Sequence, residues 1–457
     1  MPSELTLDRL KLTNFRCFTS VELDFHRKLT VLVASNGMGK TAVLDAIAVA
    51  FGPFVGAFDE AVGRHFDSSD IRQIRARESQ THEMEYADGG VHIKATGWIP
   101  TADRVNIFDR PAVWSRSLSG PTGSKTTIKD ARDLIEYGKE LQTEVRTPGR
   151  DVTLPLIAYY GTGRLWQQKK LTDAKLPRTS RTLGYADCLD PASSYKSFLA
   201  WFRYWNFNAK DQRIRSMEQG LPHEATEFDA LIASVNWAVN ICLEPAGWKD
   251  ISYSFSRDAL VAVHDQHGEL PVERLSDGIR NMIGMVADIA FRATKLNPQL
   301  GARASRETPG IVLIDEVDMH LHPEWQQVVL QGLMQAFPEV QFIVTTHSPQ
   351  VLSTVSKEHI RILREIAGGG HEAVMPDFSP LAHEAGDALA KVMGTHPHAP
   401  LALLATVQQF EQQVRAGREA SDEAQALKRQ LDEAGYQLHE SDLATWRFLA
   451  QRRAMRG

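Results

Sequence analysis

The chain has 457 residues, of which 43% are hydrophobic and 24% charged, which is too long for one ordinary core and too apolar for a disordered chain, so two or three lobes are expected. Its formal net charge of -6 excludes a global basic field, and any contact with DNA has to be a local patch. Cys17, Cys188 and Cys242 form no CxxC pair, which excludes a disulfide framework or zinc ribbon; with no basic and apolar leader and no apolar window of about 18 residues, a cytoplasmic chain without a membrane span is expected.

In chain order, Leu5 to Leu12 and Val21 to Phe25 alternate apolar and polar residues and predict half-buried strands. Leu29 to Val33 is continuously apolar, a buried strand that runs into a glycine-bearing loop. Val43, Leu44, Ile47 and Ala48 then recur at helical spacing, predicting a helix over Thr41 to Phe51 that stops near Gly52-Pro53. From Gly89 to Pro155 the chain is polar and broken by glycine and proline, including Gly120-Pro121-Thr122-Gly123, so loops and short strands are expected there. Ser193 to Ala246 carries Phe198, Trp201, Phe202, Trp205 and Phe207, then Phe228, Leu231, Ile232, Val235 and Val239, at helical spacing, which predicts a helical lobe. A second α/β section follows, with a strand over Ile311 to Ile314, a helix near Pro323 to Phe337 and a strand over Val340 to Thr345. Ala402 to Gln413 and Glu419 to Ala434 read as two tail helices. No repeat and no sustained heptad supports a solenoid or a long coiled coil.

The chemistry-bearing residues fall at the strand ends. Ala34-Ser35-Asn36-Gly37-Met38-Gly39-Lys40-Thr41 lies between strand and helix and matches a phosphate-binding loop, with Ala34 where glycine is usual. Gly37 and Gly39 let backbone amides turn toward phosphate oxygens, Lys40 brings a charge to the terminal phosphates of ATP, and Thr41 offers a hydroxyl to Mg²⁺. The strand Ile311 to Ile314 ends in Asp315, placed to hold Mg²⁺ through water, and Glu316, placed to polarise the attacking water. His320 and His322 lack a third ligand of metal-site spacing and are read as non-metal. Tyr159, Tyr160 and Trp166 read as packing aromatics, and Lys169, Lys170, Lys175, Arg178 and Arg181 as a solvated loop.

Three further strings resemble ABC-type ATPases: Leu275-Ser276-Asp277-Gly278-Ile279-Arg280 resembles the signature loop, Val317-Asp318 the D-loop, and Thr345-Thr346-His347-Ser348 the end of the switch-histidine strand. The resemblance implies an α/β fold, a P-loop head split in sequence, with halves at residues 1–90 and 261–370. Between them lie a loop and strand insert at 91–185 and a helical lobe at 186–260, and a helical appendix covers 371–457. It also implies a dimeric site, in which Ser276 and Gly278 close over the γ-phosphate held by a second copy, Asp318 crosses between copies and His347 senses the γ-phosphate. Asp70-Ile71-Arg72-Gln73 is a candidate Q-loop.

Asn14-Phe15-Arg16-Cys17-Phe18 resembles the opening of the soluble RecF, SMC and OLD-nuclease branch. The interval between Lys40 and Leu275 is compact and aromatic-rich, which excludes SMC-like arms, and no Asp-x-Asp pair after His347 supports a TOPRIM nuclease. Tyr159-Tyr160-Gly161-Thr162-Gly163-Arg164-Leu165-Trp166 and Gly386-Asp387-x-Leu389-x-x-x-Met393-Gly394 resemble the ATPase subunit of Septu-type antiphage systems, also used as a retron effector subunit. That resemblance implies a homodimer or an oligomer built of dimers, an HNH-type nuclease partner in trans, and nucleic-acid cleavage on phage infection. The alternatives are a RecF-like repair ATPase acting directly on DNA and a nucleotide-gated scaffold, against which the intact Glu316 speaks.

Overall fold

Strands β1 (Thr6–Phe15) and β2 (Phe18–Asp24) form an antiparallel ladder with Leu10 opposite Leu23 and Leu12 opposite Val21, the apolar half of each alternation turned inward. This is a computed structural model that describes residues 4–75, 84–100, 111–120, 126–163, 180–191, 195–222, 225–367, 369–395 and 403–454. Strand β3 (Leu29–Val33) is buried along its whole length and leads into helix α1 (Lys40–Val55). Strands β4 (Gln73–Arg75) and β5 (Met84–Tyr86) pair with each other, while β6 (Val91–Trp98) and β7 (Ala112–Leu118) complete a sheet of order β2-β1-β6-β7. Helix α2 (Arg132–Arg146) packs on α1 by stacking Tyr137 on Phe54 at 5.6 Å between ring centroids.

After β8 (Leu156–Tyr160) come α3 (Lys196–Glu218) and α4 (Glu227–Leu243). A capping box opens α4: the Thr226 hydroxyl accepts from the Asp229 amide and the Asp229 carboxylate accepts from the Thr226 amide. Strands β9 (Trp248–Ser254), β10 (Ala259–His264) and β11 (Gly268–Pro271) form a small antiparallel sheet that delivers the chain to α5 (Asp277–Leu296). From Asn281 onward α5 is buried on every side, as befits a central helix. The aromatic residues of α3 pack on it, with Phe198 and Trp205 against Phe291, so the helical segment shares its core with the head. Phe207, grouped with that stripe by spacing, is exposed.

The short α6 (Ala304–Glu307) precedes β12 (Gly310–Ile314), α7 (Pro323–Gln326), α8 (Val329–Ala336), β13 (Val340–Thr345), α9 (Pro349–Leu352), β14 (Ile360–Ile366), β15 (Gly370–Val374) and α10 (Ala385–Lys391). The main sheet has the order β15-β14-β3-β13-β12-β8, all parallel except for β15. In this register Ile314 lies beside Val344 and Tyr160, and Thr345 beside Leu32. The loops that follow β3, β13, β12 and β8 therefore leave from one edge, the carboxyl edge where parallel α/β sheets place their ligands.

A separate unit, Gly394–Gly457, holds α11 (Leu403–Arg415), α12 (Asp422–Glu433) and α13 (Glu440–Ala454) around Val407, Phe410, Leu431 and Trp446. The third of these helices has too weak a periodicity to be expected. The segment from Gly370 to Met393, placed largely in the appendix by its composition, is part of the first unit, where β15 pairs with β14.

Three other expectations change. Helix α2 occupies a stretch read as loops, because its Leu134, Tyr137 and Leu141 stripe is flanked by glycine and proline that dominate the local text. The helix expected over Pro323 to Phe337 is divided into α7 and α8 around Gln327 and Val328. Helix α1 also runs through Gly52 and Pro53 to Val55. Proline lacks the amide that would bond the carbonyl four residues earlier, which is that of Val49. The Arg116 guanidinium takes this acceptor at 2.9 Å, and the Trp114 indole donates to Ala50 O at 3.1 Å. Arg116 is fully buried, and burial brings its pKa down to about 10. Arg116→Met is expected to lower stability in urea unfolding by about 2 kcal/mol, the scale of an acceptor left orphaned inside the protein. Pro53→Ala in that background restores a donor for Val49 and recovers part of the loss, so the two substitutions are non-additive.

Candidate nucleotide-binding site

The loop between β3 and α1 takes its shape from two glycines with left-handed backbone, Gly37 at φ 83° and Gly39 at φ 88°. At Gly39 the need is also steric. A Cβ there would lie 2.4 Å from Phe18 Cζ and 2.6 Å from Cys17 Sγ, so the Cys17-Phe18 turn is the wall against which the loop is built. Ala34 is not among the residues with positive φ, which explains why the usual glycine is dispensable there. Asn36 is exposed at the tip. Lys40 opens α1, is buried, and donates from Nζ to Ala34 O at 3.0 Å. Burial pulls its pKa below the usual lysine value, and Asp315, Glu316 and Asp318 pull the other way.

Those carboxylates arrive from β12. Asp315 is 2% exposed and accepts two hydroxyl hydrogen bonds, from Thr41 to Oδ2 at 2.7 Å and from Thr345 to Oδ1 at 2.6 Å. Glu316 has a left-handed backbone, φ 48°. Its amide donates to Thr345 Oγ1 at 2.7 Å, and the next amide, that of Val317, donates to the Thr345 carbonyl at 3.0 Å. Thr346 Oγ1 donates to Asp318 Oδ1 at 2.5 Å, and His347 follows, half-buried. Lys40, Thr41, Asp315, Glu316, Asp318 and the turn bearing His347 are thus tied together across three adjacent strands. One hydroxyl and one carboxylate, with substrate phosphates to complete the shell, form the hard-oxygen donor set that suits Mg²⁺.

Ser276 and Gly278 lie elsewhere in the fold. Ser276 is the exposed N-cap residue of α5, and its hydroxyl makes no capping hydrogen bond. A Cβ on Gly278 would lie 2.4 Å from the His320 carbonyl, so this loop packs on the turn after Asp318. Between them opens a concavity of about 610 Å³ lined by Ser276, Gly278, His320, His322 and Trp325.

Two family models match, one described as an AAA domain over residues 9–227 and a second AAA domain over residues 247–353. The "Retron Vc95 probable ATPase" of Vibrio cholerae is 25% identical over an alignment that covers 93% of this chain and 87% of that protein. The "Septu protein PtuA" of Bacillus mycoides is 37% identical over 79% of this chain, which corresponds to 40% of that longer protein. Among solved structures, an SMC head bound to the C-terminal winged-helix domain of ScpA aligns with 80% of this chain and 97% of its own, at 15% identity and a TM-score of 0.46. The chain is an ATPase. Its relatives include a protein named as a retron probable ATPase, a Septu protein PtuA and, at 24% identity over 79% of this chain, an "OLD nuclease" of Thermus scotoductus.

The ATPase also contains site residues that no spacing rule singles out. Asp45, one turn beyond Thr41 on α1, is 5% exposed and accepts from Arg16 Nη1 at 2.5 Å and from Arg64 Nη2 at 2.7 Å. Arg16 also donates to Asp70 at 2.9 Å, which gives the arginine of the opening motif and the Asp70 of the candidate Q-loop a shared structural role; Gln73 is exposed in β4. The only trace of Asp45 in the sequence is a lone carboxylate inside an apolar helix. Tyr159 and Tyr160 are buried, as the packing reading expects, and Tyr160 also donates to Asp288 on α5 at 2.7 Å. Arg292, one turn on, donates to the same oxygen of Asp288 at 2.7 Å and to Gly184 O and Ala186 O at 2.9 Å. Burial lowers the pKa of Lys295 on the same helix to about 8, and its ammonium sits 3.5 Å above the Trp201 ring. Arg181 donates to the carbonyls of Leu296 and Val152, whereas Arg164, Trp166, Lys169, Lys170, Lys175 and Arg178 lie outside the described residues.

Gly39→Ala is expected to weaken nucleotide binding by roughly tenfold or more, since a non-glycine residue in the left-handed region costs about 1–2 kcal/mol before its clash with Phe18 is counted. Titration with a fluorescent ATP analogue measures the loss, and an unchanged melting temperature assigns it to the loop.

Proposed function

We propose that this ATPase clamps ATP between two copies of itself and uses that clamp to control a separate HNH-type nuclease in antiphage defence. The reading of the site is carried by the Thr41, Asp315, Thr345 and Glu316 assembly beside Lys40, where the groups for phosphate, magnesium and water stand within one hydrogen-bonded unit. The names of its retron and Septu relatives support the defence role.

In this reading Asn36, Gly37 and Gly39 present backbone amides to the phosphates, and Lys40 leaves Ala34 O to neutralise the terminal oxygens. Thr41 and Asp315 hold Mg²⁺, which when bound offsets the charge of the phosphate oxygens. Glu316 accepts the proton of the attacking water, and His347 contacts the γ-phosphate from the neighbouring strand end. A second copy supplies Ser276 and Gly278. The uncapped amides at the start of its α5 turn toward the γ-phosphate, while Asp318 approaches from the turn beside them. ATP thereby becomes the bridge between copies, and hydrolysis reopens the pair.

Glu316→Gln is expected to bind ATP with unchanged affinity, to hydrolyse it at least roughly 100-fold more slowly, in line with loss of a general base, and to elute as a dimer on gel filtration with ATP. Normal turnover in this variant overturns the assignment of Glu316. The partner is tested by purifying the tagged chain from its native host and identifying stoichiometric companions by mass spectrometry. An HNH-type protein is the expected companion, whereas a solitary chain whose ATPase is stimulated by bare DNA replaces the defence reading with RecF-like repair.

A further inference from the structure

We infer that Thr345 is a positioning residue for hydrolysis, the group that sets both the Asp315 carboxylate and the backbone of Glu316. The inference rests on the proposed roles of those two residues and adds one that motif reading passes over, since Thr345 enters the sequence only as the first residue of the string that ends in His347 and Ser348.

Thr345 ends β13, between the phosphate-loop strand β3 and the carboxylate strand β12, and is fully buried. Its hydroxyl has one proton to give and lone pairs to receive, and both capacities are used. The proton goes to Asp315 Oδ1 at 2.6 Å, and the oxygen accepts the Glu316 amide at 2.7 Å. The Thr345 carbonyl accepts the following amide, that of Val317, at 3.0 Å. Two consecutive amides are thus fixed by the side chain and main chain of one residue, on either side of the Glu316 α-carbon.

That α-carbon carries the strain. Glu316 is held at φ 48°, a region a residue with a Cβ rarely enters unless its surroundings impose it. The left-handed turn redirects the chain at the end of β12, and so decides where the Glu316 side chain starts from relative to Asp315. Meanwhile the hydrogen bond to Oδ1 fixes the Asp315 rotamer with Oδ2 toward Thr41. One hydroxyl therefore couples the geometry of the metal-holding carboxylate to that of the water-activating one. Valine matches threonine in shape and lacks both hydrogen-bonding functions, so Thr345→Val removes the bond to Asp315 Oδ1 and the acceptor of the Glu316 amide without opening a cavity, while Thr41 still donates to Asp315 Oδ2.

The experiment compares Thr345→Val, Thr345→Ser and Glu316→Gln in the full chain by steady-state ATPase assay at varied ATP, fluorescent-nucleotide titration, and amide hydrogen exchange over residues 315–318. For Thr345→Val the expected result is a kcat reduced about 10- to 100-fold with KM and nucleotide affinity within about threefold of the parent. Faster exchange confined to the Glu316 and Val317 amides accompanies it, and Thr345→Ser, which keeps the hydroxyl, recovers most of the rate. If Thr345→Val turns over normally while Glu316→Gln is inactive, the positioning role is overturned and the site reading stands. If Glu316→Gln is itself active, the site reading fails. Loss of nucleotide affinity or exchange spread over the whole chain in Thr345→Val assigns the residue to folding and also overturns the inference, and an inactive Thr345→Ser does the same.

Discussion

The placement of β13 between β3 and β12 is the constraint on which the rest of the site depends. Because the three strands are parallel and in register, the phosphate loop, the carboxylate pair and the histidine turn leave from the same edge at nearly the same height. The interleaved strand is the bridge between the other two. Its terminal threonine bonds to Asp315 and Glu316, its next residue bonds to Asp318, and the Thr346 amide donates back to Leu32 O at the end of β3. A shift of one residue in this pairing would turn the Thr345 hydroxyl to the other face of the sheet.

Around that edge the protein buries charge. Asp45 receives two guanidinium groups, one from the N-terminal motif and one from Arg64, and Asp288 receives both Arg292 and the Tyr160 hydroxyl. Buried pairs add little net stability, but stripping a buried carboxylate of its cationic partners leaves an uncompensated charge, which costs about 3–5 kcal/mol. The same pairs connect the functional elements. Arg16 joins α1 to the loop whose Cys17 and Phe18 brace Gly39, and Tyr160 joins the end of β8 to α5. Asp315 closes the chain of contacts, since its amide donates to Tyr160 O at 2.8 Å. Helix α5 and the strands β8 and β12 are therefore joined by shared hydrogen bonds within one subunit.

The α/β class, the split head, the loop between β3 and α1 and the carboxylates that end β12 were legible in the sequence for a physical reason. A buried parallel strand must be continuously apolar, a phosphate loop must contain glycines that tolerate positive φ, and the charges of the site must follow the strand directly. Leu29 to Thr41 and Ile311 to Glu316 obey these local rules without help from distant residues. The helices α3 and α4 were legible in the same way, through a helical period of large aromatics, though they share the core of the head and do not form a lobe of their own.

What tertiary structure alone decided are the properties that depend on a partner far away in the chain. Helix α1 passes Pro53 because Arg116, on a strand of another sheet, donates to the Val49 carbonyl left by the missing amide, with Trp114 donating to Ala50 O beside it. Asp45 is tolerated in an apolar helix because Arg16 and Arg64 meet it, and Gly39 is obligatory because Phe18 lies against it. Thr345 gains its role from lying beside β12, a neighbour its own segment does not encode. The sequence by itself determined the buried strands, the aromatic-rich helices and the glycine-bearing loop between β3 and α1, since those follow from short-range sterics and periodicity, but not α2, α13 or the course of α1 past Pro53. The orientation of the carboxylates and the bracing of the loop were decided only when strands distant in sequence came into register, because hydrogen bonds of that kind have no local signature.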